Sequence, residues 1–389
     1  MYEVATPNAG EAYAGQAAIA DDASTAFLNP AGMTRLSGRH MLFGGQLALL
    51  SMNFHPSGSN PEIDNAGRTL VMPGAYLVQG VGSRLRFGFS LNVPFGSALD
   101  YPPGWEGRYF INHIQLEVVE ARPSVALRIN RLLSIGGGVS IERAGVDKGF
   151  DVRNVFDPGF ADGAITADLH GSAVGGAAGI LVEPREGTRF GVTYRSGTDF
   201  ELRGKTAAVN IGPNLAAVLA PTLVEPTPLH LPAGANVSVL HSLTTAVTIL
   251  ADAGWTNWRH FGERTVRLPD GSAEVTDWNW RDTWRAGVGL RYRFSERLEL
   301  QAGTSYDSSP VSAWNRTPEV PADRQVRIAA GVRYAIRPSA LVGLTYSYLN
   351  LGKAAIRGLE DPLAGGLSGR YSSARLPFLS LTLTLSPRE

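Results

Sequence analysis

The chain has 389 residues, and 35 Lys and Arg balance 35 Asp and Glu, so the formal net charge at neutral pH is zero. This balance offers no basic surface for nucleic acid, and no stretch has the roughly 18 consecutive apolar residues of a membrane-spanning helix. Cysteine is absent, which excludes a disulfide framework and thiol chemistry.

The first 38 residues are rich in Ala and Gly and lack the alternation of a β-strand. Small side chains allow close packing in a confined space, and the segment has short helical possibilities. Residues 1–4 carry neither the charged region nor the apolar stretch of a secretory signal. We therefore expect that the signal peptide is absent from this chain.

From residue 39 onward, apolar and polar residues alternate. In 284–294 every even position is apolar or aromatic and every odd position is Arg or Gly, which predicts a β-strand with one apolar face. The opposite face carries charges such as Arg285, Arg291 and Arg327, which a dry sandwich core could not hold. The pattern predicts fourteen strands, at 39–54, 68–80, 84–96, 114–129, 132–147, 170–183, 188–202, 228–241, 245–258, 282–294, 297–306, 325–336, 340–350 and 376–385.

The connections between these strands alternate strictly in length. Short turns, such as 130–131 and 295–296, alternate along the chain with long loops, such as 97–113 and 148–169. An even strand number with this alternation is typical of a bacterial outer-membrane barrel. Eleven residues at about 3.3 Å each, tilted by about 45°, rise about 25 Å, which matches the apolar band of such barrels. A large soluble β-sandwich is the alternative, but it would not need the alternation.

The N-terminal segment is predicted to lie inside this barrel. A fourteen-stranded barrel encloses a lumen that is wider than side chains alone can fill. We therefore predict an all-β protein with two parts: residues 1–38 form a small helical hatch, or plug, in the lumen, and residues 39–389 form an antiparallel transmembrane β-barrel.

Several motifs resemble one known family. Residues 8–23, followed by Asn29-Pro30-Ala31-Gly32-Met33, resemble the N-terminal hatch of the long-chain fatty-acid transporter (FadL/TodX-type) outer-membrane protein family. Further segments resemble the family in the same order, so the resemblance covers essentially the whole chain. They are 94–101, 105–109, 190–196, 251–258 and 306–316.

The resemblance implies a monomeric, plugged barrel in the outer membrane of a Gram-negative bacterium. It implies passive uptake of hydrophobic molecules, namely long-chain fatty acids or related hydrocarbons. A shallow site among the outer loops would catch the ligand, a pocket in the barrel would receive it, and a kink in the third strand would release it laterally. The implied partners are a fatty acid, hydrocarbon or detergent ligand and the surrounding lipid and lipopolysaccharide, with no cofactor and no nucleic acid.

Two groups of residues match the hatch and the kink. Asn29, Pro30 and Ala31 match the hatch motif, in which Pro30 would end a short helix and Asn29 would bond neighbouring backbone. A plain helix stop is the alternative. Pro94 and Gly96 interrupt the third strand, where a lost donor and a bulge would give a lateral opening. An ordinary strand end before a loop is the alternative.

Four aromatic residues of loop 97–113 are predicted to contact ligand. Exposed apolar clusters often mark binding surfaces, although an aromatic belt at the membrane interface would give a similar pattern. These residues are Tyr101, Trp105, Tyr109 and Phe110.

Arg143 and Lys148, at the outer end of the fifth predicted strand, are possible partners for a ligand carboxylate. A channel for neutral hydrocarbons would need no such cations. The alternative is that these side chains simply face water or pair with acids.

Enzymatic motifs are absent. The sequence contains no Gly-x-Ser-x-Gly and no His-Glu-x-x-His, and its seven histidines are scattered without the spacing of metal ligands. We therefore expect no catalytic residue, no metal and no enzymatic activity. A general porin for small polar solutes and an outer-membrane lipase remain the alternatives.

Overall fold

The protein is described by a computed structural model that covers residues 3–58, 61–224, 226–267, 273–361 and 363–387. Among these residues, no helix combines the length and the hydropathy needed to cross a membrane.

The described residues form twenty β-strands. They are β1 (Arg39–Leu49), β2 (Ser51–Pro56), β3 (Thr69–Val81), β4 (Leu85–Asp100), β5 (His113–Arg128), β6 (Leu133–Val152), β7 (Gly163–Arg185), β8 (Thr188–Arg195), β9 (Thr198–Val209), β10 (Thr227–Leu231), β11 (Gly234–Ser242), β12 (Val247–Thr256), β13 (Glu263–Arg267), β14 (Ala273–Asp277), β15 (Thr283–Arg293), β16 (Leu298–Asp307), β17 (Gln325–Arg337), β18 (Ala340–Asn350), β19 (Ile356–Asp361) and β20 (Gly365–Leu385).

Eighteen of these strands form one closed antiparallel barrel with fourteen positions around its wall. Four of these positions consist of two consecutive strands each, namely β1 with β2, β8 with β9, β10 with β11, and β18 with β19. The barrel closes where β20 pairs with both β1 and β18, for example through Phe43 opposite Leu383. The hairpin of β13 and β14 forms a separate sheet. The predicted fourteen-stranded antiparallel barrel is confirmed.

The two faces of the wall differ as the alternation predicts. Outward side chains such as Val71, Val174 and Trp284 are 69%, 70% and 65% exposed, whereas the inward Arg291 and Gln301 are buried. Apolar side chains on the outside suit a lipid environment, in which the closed barrel pairs the backbone groups of its strands.

On the side of the long loops, the strands of the barrel extend further than the sequence predicts. Most of the predicted loop 148–169 is a hairpin, because β6 continues to Val152 and β7 begins at Gly163. Here the outward positions carry exposed polar residues such as Asp147 and Asp168. The strand period therefore continues without an apolar outer face, since this part of the wall meets water rather than lipid.

The N-terminal segment lies inside the barrel. It contains a 3₁₀ helix at Pro7–Glu11, helix α1 at Thr25–Leu28 and a second 3₁₀ helix at Pro30–Arg35. Nearly all of its described side chains are buried. Two more helices, α2 (Pro213–Val224) and α3 (Trp258–Gly262), belong to the long loops.

Candidate functional site: hatch, window and connected cavities

Asn29 ties the N-terminal segment to the barrel wall. Its Oδ1 accepts a 3.1 Å hydrogen bond from the Ala31 N–H, as a helix N-cap does. Its Nδ2 donates to the carbonyl oxygens of Ala17, at 2.6 Å, and of Ile180 in β7, at 3.1 Å. The side chain therefore joins two turns of the segment to one strand of the wall, while Pro30 begins the second 3₁₀ helix.

Two glycines make room for this motif. Gly136 of β6 and Gly179 of β7 are paired across the two strands. A Cβ on Gly136 would clash with the Pro30–Ala31 peptide, and a Cβ on Gly179 would clash with Oδ1 of Asn29. The backbone of the wall therefore packs directly on the Pro30–Ala31 peptide and on the Asn29 side chain.

Buried arginines hold the carboxylates of the same segment. The Arg291 guanidinium pairs with Glu11 and, at 2.6 Å, with Asp21. Asp21 also accepts a 2.8 Å bond from Arg189, and Gln301 donates to Glu11 at 2.8 Å. These charge-assisted bonds fix the segment at several heights in the lumen.

The wall has a gap between β3 and β4. The two strands are paired from Gly74 opposite Asn92 down to their turn, and they meet again at a bridge between Gly67 and Leu99. Between these points Thr69–Pro73 bonds only to β1, and the facing residues 93–97 have no partner on β3. We call this unpaired stretch the window.

Proline and a bulge account for the window. Pro73 and Pro94 each lack an N–H donor, and β4 shifts register against β5 between Asn92 and Phe95. A bulge bends its strand away from the neighbour. Pro94 and Gly96, predicted to lie at a lateral opening, both lie on the β4 side of the window.

Glu3 lies at the inner side of the window. Its N–H donates a 3.0 Å hydrogen bond to the Pro94 carbonyl oxygen, and its carboxylate pairs with Arg327. Burial raises the pKa of this carboxyl, while the Arg327 charge opposes the shift. The second oxygen, Oε2, has no hydrogen-bond partner, so the pair is incompletely satisfied.

An apolar cavity lies directly behind the window. It is bounded by Glu3 and by side chains from β1, β2, β3, β4, β5, β20 and the long loops. Its lining includes Leu50, Met52, Leu70, Met72, Pro94, Phe95, Gly96, Leu116, Trp258, Phe261, Val320 and Phe378.

This cavity belongs to a series. A cup near the ends of β6, β7 and β9 shares Lys148, Leu202 and Glu319 with a narrow apolar neck. The neck in turn shares Leu116 and Phe261 with the apolar cavity behind the window. The three spaces therefore adjoin one another from the outer loops to the window.

A polar cavity adjoins the other side of Glu3. It is lined by four arginines, each of which also pairs with an acid: Arg122 with Glu120, Arg195 with Glu120 and Glu142, Arg285 with Asp252 and Asp307, and Arg327 with Glu3. The strand alternation in the sequence places these arginines on the lumen face, but nothing in it indicates which acids they meet.

Three of the four predicted loop residues, Tyr101, Trp105 and Tyr109, are buried rather than exposed. The Tyr101 and Trp105 rings are stacked 4.0 Å apart, and both are less than 5% exposed. The Tyr101 hydroxyl donates to the Pro318 carbonyl at 2.9 Å, and burial raises the pKa of this phenol. The premise that they form an exposed apolar surface is wrong, because the loops pack on each other and cover them.

Tyr109, Phe110 and Lys148 come together, as all three line the outer cup. The Tyr109 ring lies between two guanidinium groups, with Arg108 at 4.3 Å and Arg153 at 4.1 Å. Lys148 lies at the junction of the cup and the neck.

Arg143 lies elsewhere. It is exposed on the outer face of β6, whereas its neighbours Glu142 and Ala144 are buried in the lumen. A strand has a period of two, so the odd positions of this part of β6 face outward. The prediction that Arg143 faces a ligand inside the barrel is wrong.

The barrel is closed, its lumen holds the N-terminal segment, and a row of cavities leads inward to the window. These features are typical of outer-membrane transport proteins rather than of open pores. Residues 1–379 match the family described as outer membrane protein transport protein (OMPP1/FadL/TodX). The chain belongs to this family.

Relatives extend over most of the chain. It is 26% identical to a long-chain fatty acid transport protein of Salmonella typhi over 379 residues, covering 90% of this chain and 86% of the relative. It is 26% identical to outer membrane protein P1 of Haemophilus influenzae, covering 96% and 91%.

Solved structures show the same fold. A Pseudomonas aeruginosa FadL homologue has a TM-score of 0.88 at 23% identity and covers 99% of both chains. The toluene transporter TodX of P. putida has a TM-score of 0.67 at 15% identity and covers 94% of both chains.

Family membership confirms three predictions. The chain resembles FadL/TodX-type proteins, it belongs to the outer membrane of a Gram-negative bacterium, and it is a transport protein rather than an enzyme. The lipase alternative is therefore set aside.

Proposed function

We propose that this protein is a passive channel that takes up hydrophobic molecules and releases them laterally into the outer membrane through the window between β3 and β4. The observation that carries the proposal is the row of adjoining cavities from the outer cup to the window. Its apolar end lies behind the stretch where Thr69–Pro73 and residues 93–97 are unpaired.

The route needs no energy source. Each CH₂ group that leaves water for an apolar lining contributes roughly 0.8 kcal/mol, so a long acyl chain is drawn inward spontaneously. Lateral exit then passes the ligand to lipid without returning it to water.

A fatty acid is the proposed ligand class, with neutral hydrocarbons as the second possibility. Lys148 lies at the outer end of the neck. Arg327 lines the polar cavity and pairs with Glu3, which borders the apolar cavity, so each end of the route has a cation for a carboxylate. At Arg327 the ligand would have to replace the Glu3 carboxylate. The relatives described as long-chain fatty acid transport proteins support this choice, while the toluene transporters with the same fold support the second.

The N-terminal segment and the barrel have separate roles in this transport. Residues 1–38 act as the hatch and residues 39–389 as the barrel, with Asn29, Pro30 and Ala31 fixing the hatch to the wall. The barrel works as a monomer, because one chain closes the sheet, and its outer face meets outer-membrane lipid and lipopolysaccharide.

A general porin is disfavoured because residues 3–38 occupy the lumen. Planar-bilayer recording separates the two functions. We expect a nearly silent channel, whereas a steady ion current through the wild-type protein would favour the porin.

Cross-linking the window tests the lateral route. The chain has no cysteine, so a double variant Thr69→Cys/Ser97→Cys carries the only thiols, one on each side of the window. A cleavable bis-maleimide across these thiols should abolish uptake of labelled oleate by cells that lack their own fatty-acid channel, and cleavage of the linker should restore it.

The matched control uses the same two strands below the window. Ala75 and Leu91 are paired across β3 and β4, so a cross-link between Ala75→Cys and Leu91→Cys should leave uptake unchanged. Undiminished uptake through a cross-linked window would contradict lateral release. If neither oleate nor toluene enters cells with a folded barrel, hydrophobic uptake itself is refuted.

A further inference from the structure

Three side chains that can ligate a metal ion meet where β9, β10 and helix α3 come together, beside the neck that His230 also borders. Asp199 of β9 and His230 of β10 are direct cross-strand partners, and His230 Nδ1 lies 2.6 Å from Asp199 Oδ1. His260 Nε2, from α3, lies 2.7 Å from the same oxygen. Among the residues that the structure describes, this is the one cluster of three His, Asp or Glu side chains within such reach of each other.

Packing, rather than chance loop geometry, brings these residues together. In β9 the neighbour Phe200 is buried in the lumen while the Asp199 side chain is 65% exposed. Helix α3 is held from inside by Trp258 and Phe261, whose rings lie 6.0 and 6.2 Å from that of Phe95. With these two aromatic residues turned inward, His260 lies on the outer side.

The chemistry of the cluster suits a borderline divalent ion. Two imidazoles and one carboxylate are ligands for Zn²⁺, Ni²⁺, Cu²⁺ or Fe²⁺ and leave coordination positions for water. Bonds of about 2.0–2.1 Å in a tetrahedral site place ligand atoms roughly 3.3 Å apart. The present 2.6 and 2.7 Å separations are hydrogen-bond distances, and the exposed carboxylate can withdraw by the remaining fraction of an ångström.

We propose that Asp199, His230 and His260 form a binding site for a divalent transition-metal ion of the Zn²⁺ class. The ion fastens α3 to β9 and β10. Because Trp258 and Phe261 of α3 line the apolar cavity, the site holds a part of the cavity wall from outside. The sequence predicts no metal site, since the three ligands are about 30 residues apart. Strand pairing brings Asp199 to His230, and the packing of α3 adds His260.

Zn²⁺ binding by the full chain tests the proposal. The protein is purified in detergent with a tag that contains no histidine, treated with EDTA, and titrated with ZnCl₂ in a calorimeter, with metal content measured by mass spectrometry. We expect one Zn²⁺ per chain, and at least tenfold weaker binding for Asp199→Asn and for His260→Ala. Zn²⁺ should raise the Tm of the wild type but not of Asp199→Asn.

His170→Ala is the matched control. His170 pairs with Asp168 at 3.1 Å in a His–Asp pair on the same wall, and this histidine is more exposed than His230 or His260, so its loss should leave binding unchanged. Equal loss in this control, or wild-type binding no tighter than that of Asp199→Asn, would overturn the site. X-ray absorption of the Zn²⁺-loaded wild type gives an answer that depends on no variant, because a shell without two imidazoles contradicts the proposal.

Discussion

The backbone N–H of Glu3 donates a 3.0 Å hydrogen bond to the Pro94 carbonyl oxygen, and so fixes the N-terminal segment to the edge of the window in β4. The Glu3 carboxylate pairs at the same time with Arg327 across the lumen. One residue therefore touches the proposed exit and a cation that a ligand carboxylate could use.

Glu3→Gln should strengthen fatty-acid binding. The substitution keeps the backbone bond to Pro94 but removes the anion that competes with a ligand for Arg327. We expect oleate affinity to rise by about tenfold, equivalent to about 1.4 kcal/mol, with toluene affinity unchanged, in binding assays on the detergent-solubilised protein. Arg327→Gln should weaken oleate binding; an equal change for both ligands would show that the pair has no role in carboxylate recognition.

Gly179→Ala should loosen the hatch. The new methyl group would overlap Asn29 Oδ1, and overpacking of this kind typically costs about 1–3 kcal/mol. We expect a measurable leak conductance in planar bilayers. Gly176→Ala on the same strand is the control, because its nearest contact, the Gly138 carbonyl oxygen, would be at an ordinary 3.5 Å. Silent channels in both variants would show that the wall can relax around the motif.

Arg291→Ala should release the middle of the hatch. Removal of this guanidinium leaves Glu11 and Asp21 without the cation that both contact, and breaking a buried pair costs about 3 kcal/mol or more. Faster trypsin cleavage within residues 1–38 and a higher bilayer conductance are the expected results. Arg293→Ala, an exposed position two residues further along β15, should behave as wild type.

Trp105→Ala and Phe110→Ala should separate packing from ligand capture. Trp105 is buried among the loops, so its truncation should lower the free energy of unfolding by about 3 kcal/mol. The expected readout is a lower Tm. Phe110 lines the outer cup, so its truncation should weaken ligand capture with little change in Tm. If Trp105→Ala weakened capture without loss of stability, the aromatic pair would be a ligand contact after all.

Lys148→Gln should lower the uptake of oleate at limiting concentration by several-fold and leave toluene uptake unchanged. Lys148 lies where the cup meets the neck, so its charge acts on an entering carboxylate. Arg143→Gln is the control, because Arg143 lies on the outer face of the same strand. An equal loss in both variants would point to a general electrostatic effect of the wall.

The barrel can be predicted from local patterns in the chain. Alternation of period two, as in 284–294, places each strand and its faces, and the alternating loop lengths order the strands into one closed sheet. These features are local or depend on neighbouring strands, so they can be read from consecutive residues. The sequence predicts a hatch motif at Asn29–Ala31 and an opening at Pro94 for the same reason, since each rests on consecutive residues.

The contacts between these parts depend on residues that are far apart in the chain. The burial of Tyr101 and Trp105 depends on loops far apart in sequence that pack together, and the outward direction of Arg143 depends on the phase of a strand rather than on its charge. The Glu3–Arg327 pair joins residues 324 positions apart. Such contacts arise because closing the barrel brings every strand to one shared lumen, which a linear pattern of residues does not specify.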